Sequence, residues 1–303
     1  MTRLGIWLTE PDPAQGGGAF DGMSNVAQAA EAVGFDSLWV SDSTRPLDRL
    51  TIDRSPIFEA YSLLGALATK TRSIRLGALP SAGSGRAPAV LAKIVTGLDV
   101  ISHGRSILSL FSPSDAPNGD RLAEEIRVCR AVLDDDVPEF AGRHYQINGA
   151  VNRPKPMQRD GVPVVVVIES GDGGRSPDRS EGLRIAARYA DAVVVNGDLD
   201  AIGEVADVVR SSPHARDQNS RSGSTEVIWV GELVRDHGTA DSPPTLTSEL
   251  ATQQLKHRFR AGADGCIIRL DGENPLETIA QMGPALSEVV GDMPTKSRPS
   301  RQF

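Results

Sequence analysis

The stretch from Ile74 to Leu110 constrains the fold most, because it holds a strand, a helix and a second strand with almost no slack between them. Ile74, Leu76 and Ala78 carry a short apolar strand, and Pro80, Gly83 and Gly85 interrupt the chain before a helix can start. From Ala87 the residues Val90, Leu91, Ile94, Val95 and Leu98 recur at spacings of three and four. Pro88 falls in the first turn, where its missing N–H costs nothing. Ser102-His103-Gly104 is a helix terminus, and Ile107 to Leu110 is again an apolar run of strand length. Two strands joined in this way lie parallel, with a right-handed crossover.

The rest of the chain repeats the alternation. Further strands are expected at Leu4 to Leu8, Ser37 to Val40, Pro163 to Ile168, Ala192 to Val195, Thr225 to Leu233 and Gly265 to Leu270. Helical spacing is read at about Asp21 to Val33, Phe58 to Thr69, Leu183 to Tyr189, Ala201 to Arg210, Ser248 to Ala261 and Leu276 to Val290. Asp120 is read as the cap of another, bearing Leu122, Ile126, Cys129 and Leu133. Asp134 to Gly161, broken by Pro138, Gly142, Gly149, Pro154 and Pro156, reads as an excursion with short strands. Eight strands alternating with eight helices predict an α/β fold, a (β/α)8 TIM barrel with an excursion between strands four and five. A single barrel over residues 1–291 and a disordered polar tail over 292–303 are the expected organisation.

Composition narrows the function classes. At 303 residues, 39% hydrophobic and 24% charged, the chain suits one barrel of about 250 residues better than two small domains. A net charge of −8 argues against nucleic acid and against anionic membrane as partners. The sequence has no apolar run near 18 residues and no signal-peptide core, so a cytoplasmic protein acting on a small-molecule substrate is expected, as a homodimer. Cys129 and Cys266 lack metal spacing and read as packing residues. Asp134 to Asp136 lack the alternation and closing Glu of a calcium loop, so no metal is expected.

In such barrels chemistry sits at the carboxyl ends of the strands. That rule nominates Trp7 and Thr9, Ser41 to Ser43, Leu79 to Ser81, Ser109 to Ser112, Glu169 to Gly174, Asn196 and Arg269. The loop after strand five is a phosphate candidate, because backbone N–H groups of a glycine-rich run leading into a helix bind an anion without a cationic side chain.

Several segments carry a family resemblance. LGALP from Leu76, R-x-P-A-V-L-A-K from Arg86 and LDVIS-x-GR from Leu98 resemble the core signature of the luciferase-like monooxygenases, the flavin- and coenzyme F420-dependent barrels. Ala30 to Asp42, Arg121 to Gln158 and Leu183 to Val195 resemble further segments of that family, and the NRPKPMQ run looks like its actinobacterial F420-dependent branch. The resemblance implies an F420-dependent oxidoreductase moving a hydride between the deazaflavin and a small organic substrate with a C=C, C=N or C=O/alcohol centre. An FMN-dependent monooxygenase, or a degenerate barrel that only binds a ligand or partner, are the alternatives.

For the site, the reading assigns Asp42, Ser43 and Glu169 as catalytic. It assigns Trp7, Leu79, Pro80, Ser81, Ser109, Ser112, Ser170, Gly171, Gly173, Gly174 and Arg175 as cofactor-binding, with Arg179 as a further ion-pair partner. It also implies a cis Leu79–Pro80 bond backing the cofactor ring. Two departures stand out: Ser43 replaces the histidine that follows the aspartate in many relatives, and Leu110-Phe111-Ser112-Pro113 replaces a glycine-rich turn. No histidine of this chain is well placed to donate a proton, which leaves Asp42, Glu169, an ordered water or the substrate itself.

Overall fold

The computed structural model describes residues 2–8, 18–42, 58–80, 85–112, 119–168, 179–212, 224–235, 246–270 and 274–293. Among them eight parallel strands form one sheet: β1 (Leu4–Leu8), β2 (Ser37–Asp42), β3 (Arg75–Pro80), β4 (Leu108–Ser112), β7 (Val164–Ile168), β8 (Ala192–Val195), β9 (Glu226–Glu232) and β10 (Gly265–Arg269). Helices alternate with them: α1 (Ala19–Ala32), α2 (Ala60–Ala68), α3 (Pro88–Ile101), α4 (Gly119–Asp134), α5 (Arg179–Tyr189), α6 (Leu199–Ser211), α7 (Ser248–Ala261) and α8 (Pro275–Asp292). The sheet order is β3-β2-β1-β10-β9-β8-β7-β4, and a bridge between β3 and β4 joins the two ends. The fold is a (β/α)8 barrel. The excursion after α4 holds a small antiparallel ribbon of β5 (Phe140–Ala141) and β6 (Gln146–Ile147). No described helix is long and apolar enough to cross a membrane.

Strand alternation divides the core in two. Trp39, Ile107, Val165, Val194, Ile228 and Ile267 fill the barrel interior. Their neighbours Leu38, Leu108, Val166, Val193, Val227 and Ile268 face the helices in the outer layer. The run Val164 to Ile168 is apolar throughout because each face meets one of these layers.

Closure is uneven around the barrel. Seven neighbouring pairs form ladders of four to six residues. β3 and β4 share only the Leu76–Ser106 bridge, where the Leu76 N–H donates to Arg105 O at 2.9 Å and the Ile107 N–H to Leu76 O at 2.8 Å. Side chains secure this seam. The fully buried Asp99 accepts from Ser106 Oγ (2.8 Å), Met157 N (2.6 Å) and Gln158 Nε2 (2.7 Å). Arg105 donates to the carbonyls of Ala68, Ile74 and Ser102 and to Thr71 Oγ1 at 2.7–2.9 Å, and burial lowers its pKa. The LDVIS-x-GR signature is therefore a lock at the amino-terminal face, which in barrels is where stability is built. Asn152 extends the lock by donating to Thr96 Oγ1 (2.8 Å) and Val132 O (3.0 Å), which seats the excursion between α3 and α4. Glu124 accepts from the amides of Arg143, His144 and Tyr145 and so anchors the ribbon.

Three expectations are corrected. α5 begins at Arg179, four residues before Leu183, and Asp120 lies inside the first turn of α4 instead of capping it. The Leu79–Pro80 bond is trans, the one cis bond among the described residues being Arg153–Pro154. The reason is pairing: β3 stays in unbroken register with β2 through Ser41–Leu79 and Asp42–Pro80, an extended run that a trans bond continues. The expected tail falls beyond the described residues from 294 onward, while α8 itself runs to Asp292.

Two measurements check this account of the seam and the loop before it. Asp99→Ala leaves several buried donors unpaired and is expected to cost about 3 kcal/mol in urea unfolding. Glu31 accepts from the amides of Arg72, Ser73 and Ile74. Burial alone would raise its pKa, but those bonds outweigh it and hold the carboxyl below its usual range. A folded pKa below the unfolded one means that the stabilisation is complete above about pH 4.3 and is lost as pH falls through the folded value. Glu31→Gln is therefore expected to flatten the fall of Tm with acid below about pH 4.3.

Candidate active site

Alternation decides which strand-end residues look into the barrel mouth. In β1, β10 and β9 the last inward positions are Trp7, Arg269 and Glu232, and the register sets Trp7 beside Arg269 and Arg269 beside Glu232. They touch. Trp7 Nε1 donates to Ser41 Oγ at 3.0 Å, the Arg269 guanidinium lies over the Trp7 ring at 5.2 Å, and Arg269 Nη1 is 3.2 Å from Glu232 Oε1. Ser41, Trp7, Arg269 and Glu232 thus form a polar belt across four adjacent strands, with Glu232 half-exposed at the rim.

The opposite arc is apolar. Leu79 and Val167 pack on the interior cluster, and alternation from Ile107 puts Ser109 and Phe111 of β4 on the same side. Ser109 is buried, and its Oγ has no hydrogen-bond partner among the described residues. Phe111 occupies part of the stretch where the resemblance leads one to expect glycine. The mouth therefore sets an apolar arc opposite a polar belt.

Three nominated residues have the other phase and face the helices. Asp42 is buried and takes both oxygens to Arg86, at 2.5 Å from Nη1 and 3.1 Å from Nη2. Arg86 also reaches Glu59 Oε1 at 2.7 Å and stacks on Tyr61 at 5.0 Å. The Asp42 hydrogen bond, ahead of the opposing effect of burial, raises the Arg86 pKa, and burial drives the Tyr61 phenol well above its ordinary value. Glu59 in turn caps α2 through the Ser62 amide. Asp42 is thus a clamp joining the end of β2 to the starts of α2 and α3. Pro80 pairs with Asp42 in the ladder and shares its phase. Ser112 packs against α5, where a Cβ on Gly182 would collide with its Oγ. The structure brings Trp7 and Leu79 to the mouth and places Ser109 beneath it, and it turns Asp42, Pro80 and Ser112 away.

Ser43, Ser81, Glu169, Ser170, Gly171, Gly173, Gly174 and Arg175 lie outside the described residues. His103 sits at φ 56° after α3, on the amino-terminal side, and His144 is in the excursion. Sequence reasoning missed two side chains. Glu232 shares the phase of Ile228 and Val230 and was obscured by ending that strand at Leu233 instead of Glu232. Arg86 is legible only as the first residue of the R-x-P-A-V-L-A-K signature and not as a clamp, because its partners Asp42 and Glu59 are distant in sequence.

Asp42→Asn and Arg86→Ala each break the clamp and are expected to cost about 2 kcal/mol in thermal unfolding, while cofactor affinity stays within about twofold. An unchanged Tm together with lost turnover would return Asp42 to the proton-donor role.

Comparison with known proteins places this geometry in a lineage. The profile described as luciferase-like monooxygenase matches residues 1–229. The F420-dependent glucose-6-phosphate dehydrogenase of Amycolatopsis mediterranei is 26% identical over 295 residues, covering 86% of this chain and 83% of that protein. The pyrimidine monooxygenase RutA of Acinetobacter baylyi is 24% identical over 241 residues, covering 74% of this chain and 62% of that protein. Among solved structures, an F420-dependent secondary alcohol dehydrogenase bound to an F420–acetone adduct superposes with a TM-score of 0.72 at 17% identity, covering 94% and 99% of the two chains. The chain belongs to the luciferase-like monooxygenase family.

Proposed function

We propose that this protein is a coenzyme F420-dependent oxidoreductase that transfers a hydride between the deazaflavin and a small organic substrate at a C=C, C=N or C=O/alcohol centre. The observation that carries the reading is the near full-length similarity to an F420-dependent dehydrogenase, 86% of one chain against 83% of the other. The mouth supports it. A single barrel over residues 1–291 would hold the reaction, with the substrate entering at the carboxyl ends of the strands.

At the mouth a deazaflavin would supply a two-electron hydride carrier that does not usefully activate oxygen. The chain's own residues then have distinct tasks. Leu79 and Val167 would keep water from one face of the ring, and Trp7, fixed in orientation by Ser41, would bound its polar edge. The glycine-rich sequence ahead of α5, with Ser170, Gly171, Gly173, Gly174 and Arg175, would hold the cofactor phosphate on backbone N–H groups. Asp42 is committed to Arg86. Proton transfer would therefore fall to Glu169, an ordered water or the substrate itself, because a serine at position 43 is a poor general acid at neutral pH.

Fluorescence-quenching titrations with F420 and with FMN test the reading, and F420 is expected to saturate the protein while FMN does not. Gly173→Val, which places bulk where backbone must approach a phosphate, is expected to weaken F420 binding about tenfold, and Arg179→Ala about threefold or less. Saturation by FMN alone would turn the assignment to a monooxygenase. Binding of neither would turn it to a ligand- or partner-binding barrel.

A further inference from the structure

Two charged side chains interrupt an otherwise uncharged mouth. Among the described strand ends, the last inward positions of β1, β2, β3, β4 and β7 are Trp7, Ser41, Leu79, Phe111 and Val167, and none of them is ionisable at neutral pH. β10 and β9 end their inward rows on Arg269 and Glu232 instead. Folding does not call for this pair. Its side chains are 36% and 53% exposed, and an ion pair so open to water is screened and offset by the ordering of two long side chains. β9 and β10 are already joined by a five-residue ladder. The charges that do hold the barrel together, Asp99 and Arg105, are buried at the opposite face.

What the pair does is present a guanidinium that already carries a carboxylate. Register sets Arg269 between Trp7 and Glu232, with the indole ring 5.2 Å from its guanidinium carbon and Glu232 Oε1 3.2 Å from Nη1. Trp7 is itself held by Ser41, so the ring is a fixed backing. An aromatic face shields one side of the guanidinium from water without taking an N–H, so binding runs through the edge of the planar fork, whose geometry matches a carboxylate. Glu232 thus stands where an external carboxylate can stand, and being half-exposed it returns to water readily when displaced. In a chain of net charge −8 an anion needs such a local cation to be held at all.

On the reading of the mouth as a substrate site, which this deepens, we infer that Arg269 binds the carboxylate of a small organic acid and that Glu232 is the internal carboxylate which that acid displaces. The substrate class narrows from small organic molecules to organic acids, whose apolar part extends from the rim toward Leu79 and Val167. A neutral analogue has nothing to exchange with Glu232 and leaves the pair closed, which makes Arg269 a specificity-determining residue.

Trp7 supplies the readout. Of the three tryptophans, Trp39 and Trp229 are buried, whereas Trp7 is partly exposed beneath Arg269, so intrinsic fluorescence of the full chain reports on the site with no cofactor added. Benzoate and its neutral isostere benzamide are titrated at constant ionic strength. Benzoate is expected to bind about tenfold or more tightly than benzamide, and Arg269→Gln to remove that preference. Glu232→Gln is expected to tighten benzoate about threefold or more, because the competing carboxylate is gone, and a gain of affinity cannot come from misfolding. F420 titrations of Arg269→Gln separate this result from the cofactor assignment and are expected to stay within about twofold of wild type. Equal binding of benzoate and benzamide, a preference that survives Arg269→Gln, or weaker benzoate binding in Glu232→Gln overturns the assignment. A loss of F420 affinity in Arg269→Gln as large as the loss of benzoate also overturns it, by giving Arg269 to an anionic group of the cofactor.

Discussion

The barrel depends on its weakest join. Between β3 and β4 one bridge replaces a ladder, and the backbone hydrogen bonds that close the other seven joins are largely absent there. Two buried charged side chains stand in for them. Asp99 gathers Ser106 and the Met157–Gln158 turn around one carboxylate, and Arg105 gathers the carbonyls of Ala68, Ile74 and Ser102 around one guanidinium. Each satisfies several buried polar groups at once, which makes a buried charge tolerable. The excursion is part of the closure, because Asn152, Met157 and Gln158 all bond to α3 or to the seam.

With the amino-terminal face locked, the carboxyl ends are left to vary. Strand phase then sorts residues that the sequence presents side by side. Ser41 and Asp42 are neighbours, yet one bonds Trp7 at the mouth and the other bonds Arg86 against the helices. Leu79 and Pro80 divide in the same manner. The resulting mouth has a polar arc and an apolar arc.

The sequence by itself determined the barrel, the family and most element boundaries. The alternation of short apolar runs with three-and-four spacing is a local signal, and β1, β8 and α7 fall where their periodicities end. The signature residues Asp99 and Arg105 were legible as a motif, although not as a lock, since their partners come from the excursion and from α2. The tertiary structure alone decided the phase of each strand end. Being one residue along a strand turns a side chain through half a revolution, so the ends of β2, β3 and β4 could be nominated only as groups and not as individual residues. It alone paired Asp42 with Arg86 across 44 residues of sequence and joined Trp7, Arg269 and Glu232 from opposite ends of the chain. Such contacts follow from closing the sheet into a barrel, and no local periodicity encodes them.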